Sequence, residues 1–200
     1  MAYDDIKVYS SPMGGNTWIQ HFPMETGVTF GKGDMVKLDT DGQVTECVTE
    51  ETFNDILGVA MAGPNGPGGV TLNNPRRTGT STAYADGDRF PVAIPVPGQL
   101  FKTSNWSAGG TAFDDVVPSA TTIGALCSLA LIAGVWGLDE GPTAGSEVAR
   151  VVDVLDARGD SVADNGATLT LQSAGGGYSL VFTIQGGQLT DTVADITVEN

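Results

Sequence analysis

From Val28 onward the apolar positions of this chain recur at short, even intervals. Val36 and Leu38 alternate with Lys37 and Asp39, the pattern of a half-buried strand. Asp39-Thr40-Asp41-Gly42 then predicts a turn, with Val44 to Val48 as the returning strand. Ile56-Leu57-Gly58-Val59-Ala60-Met61-Ala62 is a continuous apolar run with β character and fits a fully buried strand. Ile123 to Asp139 reads as a hairpin whose two apolar strands meet near Ala133-Gly134, with Trp136 and Leu138 on the return. The segment from Val148 to Leu155 admits two readings. Val148, Val151, Val152 and Leu155 fit helical spacing, with Ser146 and Gly159 as caps, but its valines favour a strand, which is the preferred reading.

The run Arg89-Phe90-Pro91-Val92-Ala93-Ile94-Pro95-Val96-Pro97 carries geometric information. Phe90, Val92, Ile94 and Val96 share one face at period two, facing a core. Pro91, Pro95 and Pro97 share the other parity, so all three missing N–H donors fall on one lateral side. That side cannot carry a full ladder, which predicts an edge strand or one that stops pairing there.

Both ends of the chain differ from this middle. Residues 1–25 read as an extended arm: Pro12, Gly14, Gly15 and Pro23 break any period, while Trp18, Ile19, Phe22 and Met24 give it apolar contacts. An arm with such residues is expected to dock on its own body, on a neighbouring copy or on a partner. After Asp156 a polar stretch ends in the turn signal Asp164-Asn165-Gly166. Beyond it Leu169 and Leu171, then Tyr178, Leu180, Phe182 and Ile184, then Ile196 and Val198 alternate again. This C-terminal β extension is either a small sheet of its own or a set of strands added to the main body. The resulting division is 1–25 arm, 26–157 β body and 158–200 strand-rich extension. A Gly/Pro/Asn-rich loop from Gly63 to about Gly79 is long for a compact domain and is therefore expected to be functional or mobile.

Composition agrees with an all-β class. Glycine stands at 28 of 200 residues and charged residues at only 16%, a mixture rich in turn formers and β-branched residues and poor in helix formers. With 24 acidic against 9 basic residues the net charge is −15, and no basic cluster exceeds Arg76-Arg77. Nucleic acid and anionic membranes are thereby disfavoured as partners. If the protein belongs to a DNA-filled particle, it is expected on the side away from the DNA. The longest apolar run, Ile123 to Trp136, is interrupted by glycines and falls short of the roughly 20 residues of a membrane helix. The N-terminus lacks a charged n-region and an apolar h-region, which predicts synthesis in a cytoplasm without a secretory signal. Cys47 and Cys127 are expected to be small core residues rather than a disulfide.

No catalytic, cofactor-binding or metal-binding residue is predicted. His21 is the single histidine and lies in the arm. Gly175-Gly176-Gly177 falls between two strand patterns and reads as a turn, not a phosphate cradle. Asp39-x-Asp41-Gly42 resembles the start of a calcium loop but lacks the acidic residue at the twelfth position, so a hairpin turn is the better account. Arg158-Gly159-Asp160 spells an adhesion tripeptide, a match short enough for chance, and Asn105-Trp106-Ser107 is a glycosylation sequon without a secretory context.

Four pieces in order carry a resemblance. They are Phe30-x-x-Gly33-Asp34-Met35-Val36-x-Leu38-Asp39-x-x-Gly42-x-Val44, then Ile56-Leu57-Gly58-Val59-Ala60, then Val92-x-Ile94-Pro95-Val96-Pro97-Gly98-x-x-Phe101, and finally Gly134-x-Trp136-Gly137-Leu138-Asp139. Over roughly residues 26–157 the chain resembles the head decoration (cement) proteins encoded beside the major capsid genes of tailed bacteriophages. The resemblance implies a small β-barrel or β-tulip-like body, assembly as a homotrimer at capsid symmetry axes, and a structural role on the outer capsid surface. The major capsid protein and other copies of the chain would be its partners, and no enzyme activity or cofactor is implied. Candidate capsid or subunit contacts are Trp18, Ile19, Phe22 and Met24 of the arm and Pro91, Pro95 and Pro97 of the blunted strand. On this reading, deletion of residues 1–25 weakens capsid binding without unfolding the barrel. Two alternatives of other classes remain: a carbohydrate- or host-surface-binding module using the 63–79 loop and Trp106, and a carboxylate-dependent hydrolase.

Overall fold

The computed structural model describes residues 6–10, 18–25, 30–49, 51–52, 55–61, 89–109, 112–113, 116–141, 146–166, 169 and 177–185. The 63–79 loop and the strands expected at Leu171 and at Ile196–Val198 lie outside them. The class is all-β: twelve strands in two sheets, with one short helical turn and one 3-10 turn among the described residues. The chain divides into two units. One draws its described residues from Met1–Thr17, Val48–Thr52 and Pro97–Gln185, the other from Trp18–Cys47 and Phe53–Val96. This division cuts across the expected arm and body alike.

The first unit is a seven-stranded sheet in the order β1-β7-β12-β11-β9-β10-β8. Its strands are β1 (Lys7–Ser10), β7 (Leu100–Thr103), β8 (Trp106–Ser107), β9 (Leu126–Ile132), β10 (Val135–Asp139), β11 (Ala149–Asp156) and β12 (Tyr178–Ile184). The β9–β10 hairpin turns at Ala133 (φ 50) and Gly134 (φ 75), the two consecutive positive φ values of a type I′ turn. β7 and β8 stand five strand positions apart in the order, which on a flat sheet is about 24 Å. Yet only two residues separate them in sequence, a reach of about 10 Å from Thr103 to Trp106. The sheet must therefore curl strongly. Asn105, wholly buried at that junction, fixes the approach: its carbonyl accepts the Leu138 N–H at 3.0 Å and its side-chain amide donates to the Trp136 carbonyl at 2.8 Å. Gly137 makes the approach possible, because a Cβ there would stand 2.5 Å from Asn105 Cβ and 2.7 Å from Phe113 Cε1.

The second unit is a five-stranded sheet in the order β2-β6-β5-β3-β4, from β2 (Ile19–Pro23), β3 (Met35–Leu38), β4 (Val44–Glu46), β5 (Gly58–Ala60) and β6 (Arg89–Ala93). The inner face packs Met24, Phe30, Val36, Val44, Leu57 and Phe90, with the Phe30 and Phe90 rings edge-to-face at 4.9 Å. Gly58 is required for close packing of neighbouring strands: a Cβ would collide with the Ala93 carbonyl oxygen and come within 2.9 Å of Val92 Cγ1. The two outer strands of this sheet meet at one point. Met24 forms a parallel bridge with Val44, and the Glu25 N–H donates to the Val44 carbonyl at 3.1 Å. A single rung is not a ladder, and neither sheet is a closed barrel among the described residues. The expected barrel body is thus two curled sheets.

Three placements that the sequence left open take a definite form here. The first 25 residues hold two strands: β1 and β2 are edge strands of the two different sheets, with Ile6 and Met24 buried. Of the extension after 158, β12 joins the seven-stranded sheet as an interior strand between β7 and β11. The proline-bearing β6 is also interior, and its parity argument shows how. The Ile94 N–H donates to the Trp18 carbonyl, so even positions address β2 and odd positions address β5. On the odd side the Met61 N–H reaches the Pro91 carbonyl at 3.1 Å, and Pro91 has no N–H to return. β6 therefore stops pairing on one side without being an edge.

Candidate interaction surface

The arm residues separate into two pairs. Met24 is fully buried and Phe22 packs against the core of the second unit, so both hold β2 to its own sheet. Trp18 and Ile19, one turn of the ladder earlier, are 52% and 42% exposed. The sequence reading of this segment as an arm without a period could not separate these pairs, because all four are large and apolar. Ile19 lies on the sheet face opposite to Phe22 and Met24, and Trp18, which shares their parity, stands at the far end of β2 from the rung at Met24–Val44.

The free side of β2 is capped at its C-terminal end. Odd positions there face away from β6 by the same parity. Pro23 offers no donor, and the His21 carbonyl accepts the Arg89 guanidinium at 2.9 Å. This interrupts the edge for a further strand, and the exposed side chains of Trp18 and Ile19 stand at its other end. Of the three candidate prolines, Pro91 is half-buried opposite His21, Pro95 is buried, and Pro97 is exposed but belongs to the first unit. Through the register Pro91 shares a sheet face with Ile19, two residues from its partner His21, whereas Pro95 is buried.

The polar motifs resolve into turns. The Asp39 carboxylate accepts the backbone N–H groups of Asp41 at 2.9 Å and Gln43 at 2.8 Å, and Gly42 takes φ 77, which makes a hairpin corner. Asp156 does the same for the turn that displays Arg158-Gly159-Asp160. Its carboxylate accepts the Arg158 and Asp160 N–H groups, and chiefly the Asp160 bond holds its pKa below the ordinary range. Glu46 lies at the seam of the second unit, where partial loss of solvent and then the neighbouring Glu25 raise its pKa. Among the described residues no three His, Cys, Asp or Glu side chains are grouped to hold a metal ion. Cys47 and Cys127 are both free and buried. Burial, then Glu140 and Asp139, push the Cys127 thiol up to about 12.

Trp106 is wholly buried, so it cannot contact a sugar, and Asn105 of the sequon is equally inaccessible. Among the described residues no helix is long and apolar enough to cross a membrane. No family model, curated protein or solved structure matches this chain.

Proposed function

We propose that this chain is a structural protein of a virus particle, a decoration protein that binds the outer surface of a tailed-phage head and stabilises the shell. The observation that supports this reading best is the Trp18–Ile19 pair. It stands exposed on a strand whose next residues, Phe22 and Met24, are fixed in the core. A preorganised aromatic of this kind loses little conformational freedom on binding, the usual character of an interface hot spot. The two curled sheets end in short strands, a bulge in β1 and a capped β2, which guards many crowded copies against pairing edge to edge. The resemblance of the four sequence pieces and the acidic charge point the same way, to the face of a shell away from its DNA. The homotrimer and the major capsid protein as partner belong to this proposal. The sugar-binding alternative loses Trp106, which is buried.

The test is co-sedimentation of the full chain with tailed-phage heads stripped of their decoration, alongside light scattering for the oligomeric state. Covering the exposed half of Trp18 is worth about 2–3 kcal/mol as an upper estimate. The Trp18→Ser/Ile19→Ser variant should therefore bind heads roughly 30- to 100-fold more weakly per copy. Saturable binding at a fixed ratio to the shell subunit, lost in the variant, supports the proposal; a folded wild-type chain that ignores heads refutes it.

A further inference from the structure

The register of the seven-stranded sheet gathers basic side chains that the sequence scatters. Lys7 stands directly opposite Lys102, which stands opposite Val181. Two residues along β12, Thr183 stands opposite Arg150, and Arg150 opposite Leu126. Directly paired residues share a face, as do residues two apart on one strand, so Lys7, Lys102 and Arg150 lie on one side of the sheet. They span the strands β1, β7, β12 and β11. Three of the nine basic residues of a chain with net charge −15 thus share one sheet face. Like charges directly across a ladder are unfavourable on their own, as Lys7 and Lys102 are, and the Tyr9 ring offsets this in part with Lys102 Nζ 5.8 Å from its centre.

The same face is also apolar. Eight large apolar side chains are exposed among the described residues, and Tyr9, Leu126 and Val152 are three of them. Val152 is brought out by the β-bulge between Val151 and Asp153, which adds a residue to β11 where β12 has none. The register also places one carboxylate on this face: Asp153 stands opposite Val181, in line with Lys102, but it is half-buried and accepts the Ser161 hydroxyl at 2.7 Å.

We infer that this face docks on a protein surface that is acidic and partly apolar. Lys102 and Arg150 ask for carboxylates, and the interleaved Tyr9, Leu126 and Val152 ask for apolar side chains, which a polyanion does not present. The strong negative charge of the whole chain repels an extended polyanion along its length. A compact acidic patch engages the cations within a Debye length of about 8 Å. Resting on the function proposed above, the partner is the outer surface of the shell subunit, whose contact patch must then carry carboxylates.

The experiment compares stripped-head binding of the full wild-type chain with that of Lys102→Glu/Arg150→Glu and Lys102→Gln/Arg150→Gln, at low and high salt. Thermal melts confirm that each variant is folded. The charge reversal should weaken binding roughly tenfold or more at low salt, the neutral pair less, and both should flatten the salt dependence. Wild-type binding with no salt dependence, or reversal variants that bind as wild type, would overturn the inference while leaving the shell reading in place. Retention on a heparin or DNA column that the reversal abolishes would overturn the assignment to a protein surface. A wild-type chain that ignores heads overturns the shell reading, and the partner named here with it.

Discussion

Deleting residues 1–25 distinguishes an arm from a pair of structural strands. The deletion takes Ile6, exposed by only 2%, and β1 from the first unit. From the second it takes Met24, fully buried, part of the packing of Phe22, the five register pairs of β2 and the rung to Val44. Losing a buried Ile or Met from a packed core costs about 2–5 kcal/mol. Adding the half-buried Phe22 and the ladder, the second unit loses roughly 5–8 kcal/mol and the first roughly 3–5 kcal/mol. Domains of this kind are stable by only about 5–15 kcal/mol. The second unit should therefore unfold at room temperature and the first survive, weakened. The tryptophans make this readable: Trp106 and Trp136 lie in the first unit and Trp18 is removed. In urea the truncated chain should keep a tryptophan fluorescence transition at a lower midpoint, while far-UV circular dichroism shows lost strand content before denaturant is added. A truncated chain with wild-type strand content and midpoint would refute the assignment of Met24 and Ile6 to the cores.

Two further substitutions and probes test the packing directly. Gly137→Ala drives a methyl into Asn105 and Phe113, so a loss of about 2–4 kcal/mol is expected in urea denaturation, and a neutral result would mean that β8 does not press on β10. The Cys127 thiol, raised from 9.0 to about 12 by burial, should resist thiol reagents at pH 8 in the folded chain and react on unfolding. Because its folded value is the higher one, it favours the folded state below about pH 9, and that contribution is lost progressively as pH rises toward 12. Rapid labelling of a thiol in the native protein would contradict the burial of both cysteines.

What was legible in the sequence was local. The β9–β10 hairpin and the Asp39–Gly42 corner rest on neighbouring residues whose turn chemistry leaves few options. The ambiguity at Val148 to Leu155 has an identifiable cause. The bulge after Val151 shifts the alternation by one residue, so buried Val151 and Val154 fall three apart, the period of two is broken, and Val152 of the helical set turns outward. Proline parity located the side of β6 that stops pairing, but not that β5 and β2 flank it, because strand order depends on partners remote in sequence. For the same reason the basic face was invisible: Lys7, Lys102 and Arg150 meet only through register. Trp18 and Met24 likewise differ only in what covers them.

The position of β12 also sets a timetable. It is the last described strand of the chain, yet it joins β7 to β11 in the middle of the seven-stranded sheet. A ribosome must therefore pass Ile184 before β1 and β7 can be attached to the rest of the sheet. Until then β7 and β11 each present an unpaired flank, while every described strand of the five-stranded sheet has been available since Ala93. Such late, long-range closure slows folding and leaves the nascent chain open to association with its neighbours. Yield should therefore depend on the pace of translation and on temperature more than native stability would suggest. A tag that hinders the chain near Ile184 should trap the protein half-made, whereas one that leaves that segment free should not.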